Sequence, residues 1–214
     1  MASSETGSRL PGAARTVAVF MVAGICGWFV MEMEILGARV LAPYFGSAVY
    51  VVMGSVIGVF LLSLAVGYLL GGWFSTKKGS AWALGSVLVL AGAWLCAMPF
   101  FIAPVCDWLL GMGLGVRAGS LLAAFALFAV PTAMLGTVSP TAVRWLTREA
   151  RDSGLNTGLV FAFSTVASFA GCIVTAFYLV RLSLRRTMWI SGAVLLALAA
   201  AILLHAALSG RRKQ

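Results

Sequence analysis

The stretch "TVAVFMVAGICGWFVMEMEILGARV", residues Thr16–Val40, is mostly apolar up to Met31 and then contains two carboxylates, Glu32 and Glu34. A helix over these residues is long enough to cross a hydrocarbon layer of about 30 Å, since an α-helix rises about 1.5 Å per residue. Further apolar stretches of similar length follow at Ala48–Phe74, Ala81–Ala103, Ala118–Val138, Thr157–Val180 and Thr187–Leu208. The sequence therefore predicts an all-α integral membrane protein, a bundle of six transmembrane helices.

The composition excludes a soluble fold. Of 214 residues, 62% are hydrophobic and 10% are charged, and the mean hydropathy is +1.04. A soluble chain of this size has too little interior to bury so much apolar surface. The net charge of +9 suggests nucleic acid at first sight, but the basic residues lie at the ends of the predicted helices, as membrane topology requires. We therefore expect the lipid bilayer, and not nucleic acid, as the partner.

Lys and Arg are distributed unevenly between the two sides of the predicted bundle. The side that holds both termini carries more of them than the other side, to which Arg181, Arg185 and Arg186 belong. By the positive-inside rule, we expect both termini in the cytoplasm and the protein in the cell (inner) membrane. The predicted domains are a polar cytoplasmic tail (1–15), a six-helix transmembrane domain (16–208) and a basic cytoplasmic tail (209–214).

The cysteines and the single histidine do not suggest a metal or cofactor. Cys26, Cys96, Cys106 and Cys172 form no Cys-x-x-Cys pair, and apolar membrane cysteines are usually small packing residues. A disulfide between Cys96 and Cys106 is an alternative. His205 has no carboxylate within its helix, so no Ser-His-Asp set is predicted. We expect no catalytic residue, no metal and no cofactor.

Small residues recur at helical spacing in two predicted helices. Gly54-x3-Gly58 and Gly67-x3-Gly71 lie in the second helix, and the fifth carries Ser164, Ser168, Gly171 and Thr175. Small residues on one face let another backbone approach closely. Ordinary bundle packing is the simpler interpretation of both stripes, and a functional groove is the alternative.

The two halves of the chain share a weak pattern. The first helix ends with Gly37 and Pro43, and the fourth contains Pro131 and ends with Gly136 and Pro140. These residues predict helix breaks, and three helices per half would make the halves inverted repeats, as in many transporters. The link Pro104–Val116 is expected to be a short interfacial or re-entrant piece.

The carboxylates of the first helix are the main functional candidates. A charged carboxylate in a membrane span needs a partner, a watery cavity or a proton. One interpretation is an interfacial charge pair with Arg39, which a break at Gly37 would bring to Glu34. The other is a cation site, with a tyrosine face for an ammonium group. The candidate substrate-binding residues are Glu32, Glu34, Arg39, Tyr44, Tyr50, Asp107, Ser164 and Thr165.

Three segments resemble the membrane region of the spermidine synthase-like membrane proteins, also described as fused transporter/spermidine synthases. The first is "MEILGARVLAPYFGSAVYVVMGSVIGVFLLSLAVGYLLGG" (Met33–Gly72), in which Glu34 and Arg39 precede a Phe-Gly-Ser turn and a glycine-rich helix. The others are "PTAMLGTVSPTAVRW" (Pro131–Trp145) and "GLVFAFSTVASFAGCIVTAFYL" (Gly158–Leu179). The resemblance covers nearly the whole chain after Arg15.

The resemblance implies a role in polyamine metabolism, and two hypotheses follow. Family members often continue into a soluble aminopropyltransferase domain, which needs a glycine-rich loop and acidic residues that these 214 residues do not suggest, so the family's enzymatic activity is not expected from them. The first hypothesis is transport of a small cationic metabolite such as a polyamine. The alternative is a non-transporting membrane anchor for a separately encoded aminopropyltransferase-like enzyme with an S-adenosylmethionine-type fold. The expected protein partner is therefore such an enzyme or a second copy of this chain, as a homo-oligomer. The candidate docking residues for such an enzyme are Arg144, Arg148 and Arg151.

Overall fold

The computed structural model describes residues 12–78, 81–147 and 153–211, which are almost wholly helical and contain no strand. The elements, in chain order, are α1 (Gly12–Phe45), a π-helix (Tyr50–Ile57), α2 (Gly58–Lys78), α3 (Ala81–Gly111), α4 (Val116–Gly136), α5 (Val138–Leu146), α6 (Ser153–Phe177), a short 3-10 turn (Leu179–Arg181) and α7 (Leu184–Arg211).

The described chain contains six helical spans that are long and apolar enough to cross a membrane, with α4 and α5 forming one of them. The predicted all-α six-helix bundle is therefore confirmed, and the protein is a multi-pass membrane protein. Successive spans run in opposite directions. We call the two ends of the bundle the Arg39 end, where α1 finishes, and the Arg144 end, where α5 finishes.

Helices α1 and α4 lie at the centre of the bundle. Helix α1 packs against α6 and α4, α4 packs against α2 and α3, and α3 packs against α7. If the chain consists of two inverted three-helix halves, α1 corresponds to α4 and α2 corresponds to α6. The pairing of α1 with α6 then matches the pairing of α4 with α2. The correspondence is incomplete, because α4 packs broadly against α3 whereas α1 meets α7 only over a short length.

The helix breaks differ from those predicted. Helix α1 is continuous through Gly37, with Pro43 inside its last turn, so the predicted break between these residues is wrong. Gly37 instead admits an aromatic ring, since a Cβ there would lie 3.3 Å from Phe128 Cε2. In the fourth span, the break is present: α4 ends at Gly136, a turn at Thr137 follows, and Pro140 lies within α5.

Helix α3 also corrects an expectation. It contains Pro99 and Pro104 and continues to Gly111, so most of the link predicted as an interfacial or re-entrant piece belongs to the third span. All four cysteines are free. The alternative disulfide is not formed, because ten residues of helix separate Cys96 from Cys106 by about 15 Å.

The glycine stripes have different surroundings. A Cβ at Gly71 would lie 2.5 Å from the carbonyl oxygen of Thr137, and Gly67 lies equally close to the α4 backbone. Gly171 of α6 lies against Trp28 of α1, whose carbonyl oxygen is 2.8 Å from an ideal Cβ position. Gly54 and Gly58 have no neighbour within 4 Å of such a position. The second half of the α2 stripe thus joins α2 to α4.

Candidate functional site

Glu32 is a buried carboxylate on the central helix. Its side chain is 2% exposed. The indole Nε1 of Trp28, one turn earlier on α1, donates to Glu32 Oε2 at 3.1 Å. The hydroxyl of Ser191 on α7 is hydrogen-bonded to Glu32 Oε1. Neutral polar groups from two helices therefore contact both carboxyl oxygens.

Ser191 connects this carboxylate to the start of α7. Its hydroxyl oxygen lies 2.9 Å from the carbonyl oxygen of Thr187, as well as against Glu32. Ser191 is 4% exposed and Thr187 2%. Glu32, Ser191 and the Thr187 carbonyl thus form a chain of polar groups sealed between α1 and α7.

The register of α1 against α4 places a second buried polar group at the same depth. Gly119 lies against Phe45, and Gly37 against Phe128, so the two helices run antiparallel. One turn beyond Phe128, Thr132 comes level with the residue after Glu32. The Thr132 side chain is fully buried, and its hydroxyl has no hydrogen-bond partner in the described chain.

The register of α1 against α6 adds a third group. Ser164 donates to the Ala23 carbonyl at 3.2 Å, and Gly171 lies against Trp28, so these helices run parallel. One turn beyond Gly171, Thr175 comes level with Glu32. The Thr175 hydroxyl is fully buried and, within the residues described, unpartnered.

We call Glu32, Ser191, Thr132 and Thr175 the polar layer. It crosses the bundle about 10 Å from Arg39, since seven residues separate Arg39 from Glu32 on α1. Buried hydroxyls almost always have partners. Thr132 and Thr175 share the depth of Glu32 along the bundle axis, yet each holds a buried hydroxyl without a partner among the described residues.

The other predicted carboxylate lies outside this set. Glu34 follows Glu32 by two residues, so the two side chains leave α1 on different faces. Glu34 is partly buried, and no hydrogen bond or ion pair joins it to the described residues. Arg39 donates to the carbonyl oxygen of Leu182 at 3.0 Å. The charge pair considered for Arg39 is therefore not formed with either glutamate.

The remaining candidates are dispersed. Tyr50 lies in the π-helix, with its ring 5.4 Å from the guanidinium carbon of Arg117. Tyr44 and the exposed Asp107 also belong to the Arg39 end. Ser164 is used in the contact with α1, and exposed Thr165 donates to the Phe161 carbonyl of its own helix at 2.8 Å. None of these hydrogen-bonds Glu32.

An apolar groove adjoins the polar layer. It has a volume of about 300 Å³ and lies between α1, α6 and α7, on the Arg144 side of Glu32. Its lining includes Gly24, Trp28, Phe29, Phe163 and Val194. Trp28 both lines the groove and hydrogen-bonds Glu32. Trp28 therefore lies between the groove and the Glu32 carboxyl group, which is not itself part of the lining.

A separate polar pocket lies at the Arg144 end. It has a volume of about 480 Å³ and is lined by residues of α2, α5 and the start of α6, namely Ser75, Pro140, Val143, Arg144, Thr147 and Ser153. The other two candidate docking residues, Arg148 and Arg151, lie outside the described residues. Arg144 is exposed and supplies the positive charge of this pocket.

Sequence reasoning singled out Glu32 but missed most of its surroundings. Trp28 precedes Glu32 by four residues, and this i, i+4 spacing in the sequence indicates a hydrogen bond within the helix. Ser191 is a polar residue within an apolar run, and nothing in its own helix indicates that it meets α1. Thr132 had no distinguishing pattern at all.

Comparison with protein-family models, with curated proteins and with solved structures finds no match to this chain. The family resemblance therefore depends on the three sequence segments.

Proposed function

We propose that this protein transports a small cationic metabolite across the membrane, and that Glu32 binds the positive charge. The observation that carries the proposal is the buried Glu32 carboxylate in the polar layer, to which no described basic side chain is bonded. An acidic residue at the centre of a membrane helix costs about 2.5–3.5 kcal/mol on insertion scales. Interhelical hydrogen bonds, at about 0.6 kcal/mol on average, offset only part of that cost, which is compatible with a functional residue.

The groove beside Glu32 supports an aliphatic amine as the substrate class. Its walls are apolar, and its volume of about 300 Å³ suits a flexible chain of methylene groups. An ammonium group at the Trp28 end would meet the indole face, which attracts cations, and a displacement of Trp28 would bring it to the Glu32 carboxyl group. A linear polyamine combines these features, and the resemblance to spermidine synthase-like membrane proteins points to the same class.

The contacts of α7 support a two-sided access mechanism. Helix α7 and its preceding turn meet α1 at Ser191–Glu32 and at Leu182–Arg39. The first contact lies in the polar layer and the second at the Arg39 end, and we take them to close the layer on that side in this conformation. The groove lies on the opposite side of the layer, toward the Arg144 end. Opening the α1–α7 contact would expose Glu32 to the other side, as alternating access requires.

Flux measurements in proteoliposomes test the proposal. Purified protein is reconstituted, and uptake of labelled spermidine is compared between wild type, Glu32→Gln and Glu32→Asp. We expect uptake by wild type, a loss of at least about tenfold in Glu32→Gln, and partial recovery in Glu32→Asp, since about 1.4 kcal/mol of binding corresponds to tenfold. Ser86→Ala, a change on the exposed side of α3, is the control. Equal uptake by wild type and Glu32→Gln would contradict the proposal.

The second candidate function is a membrane anchor for a soluble enzyme, favoured by the polar pocket with Arg144. In this interpretation, the Arg144 end faces the cytoplasm and an acidic surface of the enzyme docks there. The test is a mild-detergent pull-down from native membranes with wild type and Arg144→Glu. A soluble protein with an S-adenosylmethionine-type fold, retained by wild type and lost from the variant, supports an anchor. Recovery of the chain without such a protein counts against it.

A further inference from the structure

The Ser191 hydroxyl has two acceptors and one proton. It lies against Glu32 Oε1 and 2.9 Å from the Thr187 carbonyl oxygen, yet a serine hydroxyl can donate only one hydrogen bond at full strength. If it donates to Thr187, its oxygen can only accept from Glu32. A carboxylic acid can donate this bond, whereas a carboxylate cannot. A protonated Glu32 therefore satisfies both contacts of Ser191.

The hydrogen bond of the second carboxyl oxygen, Oε2, decides which oxygen of Glu32 carries that proton. Trp28 Nε1 has only a donor role and points at Glu32 Oε2 at 3.1 Å, so Oε2 acts as an acceptor. The acidic proton belongs on Oε1, which faces Ser191. The resulting chain runs from the Trp28 N–H to Oε2, and from the Oε1 proton through Ser191 to the Thr187 carbonyl. Every group in it is satisfied without a buried charge.

No described positive charge offers an alternative way to neutralise Glu32. On α1 itself, Arg39 is bonded to the Leu182 carbonyl. On α7, the Arg185 guanidinium stacks on Trp189 at 4.4 Å and on Phe100 at 5.0 Å. The other described titratable or charged side chains on α1 and on the elements packed around it, including the turn before α7, are Cys26, Glu34, Tyr44, Tyr50, Cys96, Cys106, Asp107, Arg117, Arg144, Cys172, Tyr178, Arg181, Arg186 and His205. None of these is hydrogen-bonded or paired to Glu32.

We propose that Glu32 is a proton-binding site and that its proton is exchanged for the transported cation, which makes the protein a proton–cation antiporter. This inference rests on the proposed transport function and adds the coupling ion. When an ammonium group reaches the carboxylate, the Oε1–H bond breaks and the proton leaves to the adjoining aqueous side. The ammonium then binds the carboxylate, so the charge of the site is unchanged for each exchange of one ammonium for one proton. Ser191 turns its proton from Thr187 to Glu32.

Infrared difference spectroscopy on reconstituted protein tests the exchange, with spermidine as the probe. We expect the cation-free wild type to show a protonated-carboxyl stretch that spermidine removes. About one proton should be released to a pH indicator per bound spermidine, because Glu32 holds a single acidic proton. Glu32→Gln should lack both signals, and Glu32→Asp should retain them. Glu34→Gln removes a carboxyl from a different face of the same helix and should retain both as well.

The outcomes separate this inference from the transport proposal. Absence of the protonated-carboxyl signal in cation-free wild type overturns the inference, whatever the flux. Spermidine flux that is indifferent to an imposed pH gradient overturns the exchange and leaves transport standing. A chain that neither binds nor moves spermidine overturns both. Flux that follows the pH gradient in wild type and Glu34→Gln, and is lost in Glu32→Gln, supports both.

Discussion

Ser191 of α7 is hydrogen-bonded to the carboxyl group of Glu32 on α1, 159 residues earlier in the sequence. This contact joins the last helix of the bundle to the first at the depth of the polar layer. A second hydrogen bond joins α1 to the segment before α7, from Arg39 to the Leu182 carbonyl at 3.0 Å. The proposed transport depends on opening and closing of this contact between α1 and α7.

The Ser191–Glu32 contact should contribute measurably to stability. Interhelical hydrogen bonds in membrane proteins average about 0.6 kcal/mol and reach about 1.7 kcal/mol. We expect Ser191→Ala to lower the thermal midpoint in detergent by a few degrees. Ser86→Ala, which removes an exposed hydroxyl bonded at 2.9 Å to its own helix, should leave the midpoint within error. Equal midpoints for both variants would show that the α1–α7 contact is not formed.

The close approach of α2 to the turn between α4 and α5 depends on Gly71. A methyl group there would lie 2.5 Å from the Thr137 carbonyl oxygen and 2.7 Å from its Cα, which are backbone atoms and cannot turn away. We expect Gly71→Ala to destabilise the protein by about 1–3 kcal/mol, the usual cost of overpacking. Thermal unfolding in detergent measures the change.

Gly72→Ala is the matched control for that measurement. The neighbouring glycine has nothing within 4 Å of an added Cβ, and alanine favours helix by up to about 1 kcal/mol. Gly72→Ala should therefore be neutral or stabilising. A Gly71→Ala variant as stable as Gly72→Ala would mean that α2 lies farther from Thr137 than these distances.

The Arg39 hydrogen bond should restrain the turn between α6 and α7. Its guanidinium caps the Leu182 carbonyl, which lies in the short non-helical segment before α7. We expect Arg39→Ala to raise amide hydrogen exchange in residues 178–183, because local opening costs less without this tie. Exchange in α3 should not change. Unaltered exchange in residues 178–183 would show that Arg39 has another role.

The proposed orientation predicts which loops are reached from each side. With the Arg144 end in the cytoplasm, a cysteine at Ser47 should react with a membrane-impermeant maleimide added outside intact cells. A cysteine at Thr147 should react only after the membrane is permeabilised. The native cysteines are replaced beforehand to remove their signal. The reverse pattern of labelling would invert the topology and move the docking pocket outside.

The bundle could be predicted from sequence because each span is a local property. A run of apolar residues long enough to cross the hydrocarbon specifies a helix whatever its neighbours are. Helix ends were less predictable. Gly37 was expected to break α1, but it is a site of close packing against Phe128, and a helix tolerates glycine where a neighbour needs the space. The π-helix at Tyr50–Ile57 had no sequence signal.

The candidate site was predictable only in part, for the same reason. Glu32 stands out because a carboxylate in a membrane span is rare. Its partner Ser191 and the orphan hydroxyls of Thr132 and Thr175 come from other helices, and their depth relative to Glu32 depends on the register of helix pairs. That register follows from close contacts such as Gly171 with Trp28, which no periodicity within one helix reveals.

Direct binding of labelled spermidine to purified protein tests the central claim, that Glu32 binds the cation. Equilibrium dialysis is performed with wild type, Glu32→Gln and Glu34→Gln, each first checked for an unchanged elution volume. The account predicts saturable binding to wild type and Glu34→Gln, weakened at least about tenfold in Glu32→Gln, because charge-assisted hydrogen bonds contribute about 1.5–3 kcal/mol. Equal affinity of wild type and Glu32→Gln for spermidine would contradict it.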